Sequence, residues 1–169
     1  IQRKNVMVDL NRIMQITILY CQINGYTINP LKLQKLLYFI QAWHIALFEK
    51  DTLWHELPEA WVNGPVYRSI YDILKKKFYR NENFQYKASG EKLQQEFKEA
   101  VEQSQLSSLQ QNFIFDVLNI YAPMSDEKLV LSTHQALPWN KARKGCSPID
   151  RCTNYLSVDD MYEYYRKKE

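Results

Sequence analysis

The sequence predicts a mainly α, single-domain bundle packed around one buried central helix, with at most a short extended segment near 59–63. Apolar residues recur at three-and-four spacing through most of the chain. The glycines, Gly25, Gly64, Gly90 and Gly145, fall between those periodic stretches rather than inside them. The second stretch is apolar nearly all the way round. With 169 residues, 46% hydrophobic and 14% aromatic, residues 1–169 read as one domain. A chain of this length buries roughly two thirds of the surface its unfolded form exposes, so neither metal nor disulfide is required for folding.

The elements follow in order. Residues 9–24 put Leu10, Ile13, Met14, Thr17, Tyr20 and Cys21 on one stripe and stop at Gly25. The second helix starts with Asn29 as N-cap and Pro30 in the first helical position, then carries Leu33, Leu36, Leu37, Ile40, Trp43, His44, Leu47 and Phe48. Tyr38, Phe39, Ala42, Ile45 and Ala46 occupy what would otherwise be its wet face, so the helix is expected to be central. Its polar exceptions are Lys32, Gln34, Lys35 and Gln41, the two glutamines seven residues apart on one stripe. Residues 59–62 run extended to a turn at Gly64, and Pro65 is placed as the start of a helix over 65–78 with Val66, Ile70, Ile73, Leu74 and Phe78 inward. Helices are expected over 90–103 and 107–121, the latter with Leu109, Phe113, Val117, Leu118 and Tyr121 as its stripe. Ser125 caps a short helix holding Leu129 and Val130. Ser157 with Asp160 forms a capping-box pattern before Val158, Met161, Tyr162 and Tyr165.

Composition narrows the chemistry. No two glycines lie close enough for a phosphate-cradling GxxxxGK loop or a dinucleotide GxGxxG turn. The longest apolar run, 36–40, has five residues, where a membrane span needs about twenty. Arg3 and Lys4 precede no apolar signal core. Three cysteines, Cys21, Cys146 and Cys152, are an odd set in a chain too large to need a disulfide framework, and point to a reducing, cytoplasmic setting. Cys146 and Cys152 are too widely spaced for a CxxC zinc pair, so no metal or cofactor is called for. His44 lies on the apolar side of the central helix, where a hydrogen-bonded core histidine is the common case, and the spacing of Glu96, Glu99 and Glu102 is that of a solvated helix face.

The net charge of +3 does not demand a polyanionic partner. Basic residues nonetheless cluster at Lys75, Lys76, Lys77 and Arg80, at Lys141, Arg143 and Lys144, and at Arg166, Lys167 and Lys168.

Three motifs stand in a recognisable order: the 31–44 run from Leu31 through Gln34, Lys35 and Tyr38 to His44; Glu59-Ala60-Trp61-Val62-Asn63-Gly64-Pro65-Val66; and Ser132-Thr133-His134 with Pro138-Trp139 and Ala142. Together they resemble the Panacea family, the SocA-like antitoxin domains found in prophage and toxin–antitoxin loci. The resemblance implies a non-enzymatic bacterial or phage-encoded protein that binds and neutralises a cognate toxin, either by blocking it or as an adaptor delivering it to a bacterial ATP-dependent protease. The 79–102 stretch has no counterpart in it.

An ammonium at Lys35, on a helix wrapped in apolar groups, must snorkel outward or be paired. Gln34, Lys35 and Tyr38, with Trp61, Gly64, Pro65, His134 and Trp139, are therefore the candidate partner-binding cleft; a satisfied internal hydrogen-bond network is the open alternative. Twelve tyrosines and four tryptophans exceed what one core hides, and Tyr79, Tyr86, Tyr164 and Tyr165 are candidate exposed contacts for a partner covering about 800 Å². Two further classes stay open. A nucleic-acid module would use Lys75, Lys76, Lys77 and Arg80 with Tyr71 and Tyr79 and lose affinity steeply with salt. A small-molecule enzyme would rely on His134 or Lys35 in an open pocket.

Overall fold

An asparagine cap and a proline set the start of the helix on which everything else is hung. In the computed structural model, which describes residues 7–85, 88 and 90–168, Asn29 accepts a hydrogen bond from the Lys32 amide at 2.9 Å and Pro30 opens the helix. That helix, α2 (Pro30–Leu47), follows α1 (Leu10–Ile23) and precedes a hairpin of β1 (Glu59–Trp61) and β2 (Gly64–Val66). The chain continues through α3 (Arg68–Arg80), α4 (Gly90–Gln103), α5 (Ser108–Tyr121), α6 (Asp126–His134), α7 (Leu137–Ala142) and α8 (Val158–Arg166). Helices α1, α3, α5, α6 and α8 and strand β2 all pack on α2. The mainly α architecture and central helix are as the sequence predicts. Among the described residues no helix is long and apolar enough to cross a membrane.

The polar residues of α2 are a correction. Lys32, Gln34, Lys35 and Gln41 are not its wet side but are buried with the rest of it; for Gln34, Lys35 and Gln41 the reason is that the chain between α2 and α3 needs hydrogen-bond partners for its backbone. Gln41 accepts from the Leu53 amide at 2.8 Å and donates to the Trp54 carbonyl at 2.9 Å. Two turns earlier, Gln34 accepts from the Tyr67 amide at 2.8 Å and donates to the Tyr67 carbonyl at 3.1 Å. The glutamine stripe thus pins both ends of residues 53–67 to the hub. Replacing Gln34 by Met should leave two buried backbone groups unpaired and lower stability by about 2–5 kcal/mol, read as a shift of the urea midpoint at constant slope.

The same pinning explains why Pro65 does not open a helix. Val66 pairs with Glu59, and Tyr67 is held by Gln34, so the chain stays extended until Arg68. The hairpin is also joined along β1 by residues 154–156: the Ala60 amide donates to the Asn154 carbonyl and the Leu156 amide to the Pro58 carbonyl, both at 2.9 Å.

Several surface assignments change. Leu47 and Phe48 end α2 at 45% and 37% exposed, past the last turn covered by neighbours. Ile73 is exposed beside the Ile70–Leu74 row that faces the core. Leu109 is exposed because it precedes Ile114 by five residues, about 140° round the helix from the buried Ile114–Val117–Leu118 stripe. Tyr165, expected outside, is buried with its hydroxyl donating to that of Tyr38 at 3.2 Å. Tyr164 is half-buried and Tyr79 is 95% exposed. The assignments of Arg3, Lys4, Tyr86 and the Phe78 side chain fall outside the described residues.

The cysteines are the other correction. Cys146 and Cys152 form a disulfide with Cα atoms 6.0 Å apart, and Cys21 remains a buried free thiol. The local cause is Arg143, whose guanidinium donates to the carbonyls of Ser147 at 2.7 Å and Asp150 at 3.0 Å, curling the five intervening residues back on themselves.

Candidate functional site

The dilemma posed by Lys35 is resolved beneath the hairpin turn. Its side chain is fully buried and its ammonium nitrogen donates to the Pro65 carbonyl at 2.9 Å. Burial pulls its pKa down to about 7. Gly64 makes this passage possible in two ways. Its φ of +108° suits only glycine, and a Cβ there would lie 2.5 Å from Lys35 Cε and 2.7 Å from Thr133 Oγ1. Thr133, from α6, is itself turned inward and donates to the Val130 carbonyl at 2.7 Å.

Above this cradle the hairpin tip is clamped by aromatic rings. Trp139, held in α7 just after Pro138, donates from its indole to the Trp61 carbonyl at 2.8 Å. The His134 ring stacks on Trp139 with centroids 4.1 Å apart. Burial lowers the His134 pKa; the Val62 backbone opposes this, and the Lys35 and Arg143 charges add to the lowering. The His134 Nε2 is buried without a hydrogen-bond partner among the described residues.

The outer face of the hairpin carries charge. Glu59 is buried and receives both Arg68 hydrogen bonds, Nε and Nη2 each at 3.0 Å, together with the Trp61 indole N–H at 3.2 Å. Arg143 donates to the Ala60 carbonyl at 2.7 Å, tying the hairpin to the disulfide-closed loop. From that loop Arg151 reaches over Trp61, 4.0 Å from the ring centre, and Arg68 lies 4.9 Å from the same ring. Tyr71 meets Trp61 edge-on at 4.7 Å. Between hairpin, α3 and loop runs a groove of about 430 Å³ whose walls include Trp61, Tyr71, Lys75, Tyr79, Ile149 and Arg151.

The predicted cleft residues thus divide. Lys35, Gly64, Pro65, Trp61, His134 and Trp139 gather around the hairpin tip. Gln34 faces Tyr67, and Tyr38 faces Tyr165 on the α8 side. Of the basic run, Lys75 lines the groove, Lys77 lies 4.9 Å from the Phe84 ring, Arg80 is 3.7 Å from Glu82, and Lys76 is exposed. His44 is a core histidine, its Nδ1 on the Asp51 carbonyl at 2.8 Å. Sequence reasoning did not single out Glu59, Arg68, Arg143 or Arg151 for the site. Arg151 had one available signal, its place between two cysteines close enough to pair. Among the described residues no group of acidic, histidine or cysteine side chains could hold a metal ion.

A family model described as Antitoxin SocA-like, Panacea domain, matches residues 33–140. The chain belongs to this family. The match begins in α2 and ends in α7, so it contains the Lys35 cradle, the hairpin and the His134–Trp139 clamp. No curated protein and no solved structure matches the chain. In this Panacea domain α1, the disulfide-closed loop and α8 lie outside the matched stretch, and so do the Ile149 and Arg151 that wall the groove.

Proposed function

We propose that this Panacea domain is an antitoxin that neutralises a cognate toxin by direct protein–protein binding, without chemistry of its own. The observation that carries the reading is the pair of exposed side chains on a rigid base. Tyr79 and Ile149 are 95% and 86% exposed where they wall the groove, and the hairpin between them is braced by α2, Trp139, Arg143 and residues 154–156. Exposed apolar and aromatic groups held on a preorganised surface favour association, because little freedom is lost when a partner covers them. The groups able to do acid–base or nucleophilic work point the other way. Lys35 is sealed beneath Gly64, and His134 is stacked against Trp139. Binding either occludes the toxin or presents it to an ATP-dependent protease.

Co-expression with the product of the adjacent gene tests this. The expected result is restored growth and a stoichiometric complex on purification. A toxin level that collapses in the presence of this chain assigns the adaptor route, and an unchanged level assigns occlusion. Growth arrest unaffected by the chain, with no complex, overturns the proposal.

A further inference from the structure

We infer that the groove between the hairpin, α3 and the disulfide-closed loop receives an acidic segment of the toxin polypeptide, with Arg151 and Lys75 as the cations that select it. The inference rests on the antitoxin reading and names the chemistry of its partner. Charge carries it. Glu59 is the carboxylate nearest the Trp61 cluster, and both of its oxygens are occupied by Arg68. Arg151, stacked on the same ring, is left as a surplus cation with no carboxylate partner among the described residues. Across the groove, Lys75 is 3.6 Å from Asp72 in an exposed pair on the same helix, a contact weak enough to exchange for a partner's carboxylate. No acidic side chain lines the groove among the described residues, while apolar walls come from Val62, Val66 and Ile149.

A positive rim over apolar walls is complementary to a peptide that alternates carboxylates with aliphatic or aromatic side chains. Single-stranded nucleic acid fits less well. Its bases need open aromatic faces, and Trp61 is only 8% exposed, with two guanidiniums and Tyr71 already on it. The position of Arg151 and Ile149 beyond the family match suits a wall that sets partner choice within a shared scaffold.

The test measures affinity of the full chain for the purified adjacent gene product by calorimetry, with Arg151→Glu and Lys75→Glu as charge reversals. Arg151→Gln is the milder variant should the first fail to fold, and Lys92→Glu on α4 is the distant control. The expected result is at least a tenfold loss for each reversal, a smaller loss for Arg151→Gln, none for Lys92→Glu, and a wild-type affinity that weakens as salt rises from about 50 to about 200 mM. A folded Arg151→Gln or Arg151→Glu protein that binds as tightly as wild type overturns the inference and leaves the antitoxin reading standing. No complex with the wild type overturns both. A thymidine oligomer of about 12 nucleotides that binds the wild type and is lost in Arg151→Glu, with toxin affinity unchanged, assigns the groove to nucleic acid instead.

Discussion

An alanine at position 64 is expected to lower the unfolding free energy by about 3–5 kcal/mol, among the largest losses a single methyl group causes. Two costs combine. At φ of +108° a residue with a Cβ is strained wherever it sits, which costs about 1–3 kcal/mol. The added methyl would also stand 2.5 Å from Lys35 Cε and 2.7 Å from Thr133 Oγ1. On a surface the end of a lysine would swing aside at little cost. Here the chain is encased on every side and its nitrogen is engaged with Pro65, so relief requires moving the hairpin away from α2. The displaced hairpin would then loosen the Trp139 and Arg143 contacts that hold its carbonyls. Urea unfolding of Gly64→Ala, of Lys35→Ala and of the double variant separates the two costs. If the cradle is as described, the double variant loses less than the sum of the singles, because removing the lysine chain empties the space the methyl needs. Strict additivity would mean that only backbone strain is at work.

How much of this was readable in advance depends on whether a feature is local. The start of α2 was legible because Asn29 and Pro30 act within one turn, and its central place because apolar residues encircle it. The helix expected over 90–103 is found as α4 with those bounds. Pro65 was misread because a Gly-Pro pair satisfies a local rule for helix starts, while strand pairing with β1 and the Gln34 clamp on Tyr67 override it from a distance. Gln34 and Gln41 stood out only as polar exceptions on one stripe, because side-chain polarity says nothing about whether irregular backbone lies alongside.

The site shows the same divide. That Lys35 needed a partner followed from its neighbours on the helix; that the partner is a main-chain carbonyl, thirty residues later, did not. Arg151 and Glu59 meet around Trp61 only through the loop closed by Cys146 and Cys152, and counting cysteines as an odd set concealed that loop.

Lys35 also sets a pH dependence of stability whose sign is fixed by burial. In the unfolded chain its amine keeps a proton up to its ordinary pKa of 10.5, while in the folded protein the value is about 7. Between those limits the unfolded state binds a proton that the folded state does not, so stability rises with pH, by at most about 1.4 kcal/mol per pH unit from this one group. Below pH 7 both states carry the charge, and the penalty is present in full but constant. From about pH 8 upward the signal is increasingly opposed, because burial raises Cys21 from its ordinary 9.0 to about 11 and also raises Tyr38, Tyr67 and Tyr165, so the folded state holds protons that the unfolded chain releases. Lys35 therefore dominates between pH 7 and 9, where its expected gain is about 2–3 kcal/mol, with Cys21 offsetting a small part of it above pH 8. Lys32, whose pKa burial also lowers, acts with the same sign at higher pH, toward its ordinary value of 10.5. His44 and His134, lowered as well, act below pH 7. Lys35→Met removes the proton while keeping an unbranched chain under Gly64; it leaves the Pro65 carbonyl unpaired, a cost that does not vary with pH. Chemical unfolding at closely spaced pH values should show the wild-type curve climbing from pH 7 to 9 and the methionine variant without that climb. Parallel curves would show that the amine keeps its proton in the folded state, and the hairpin cradle would then have to hold a buried ammonium on a single carbonyl.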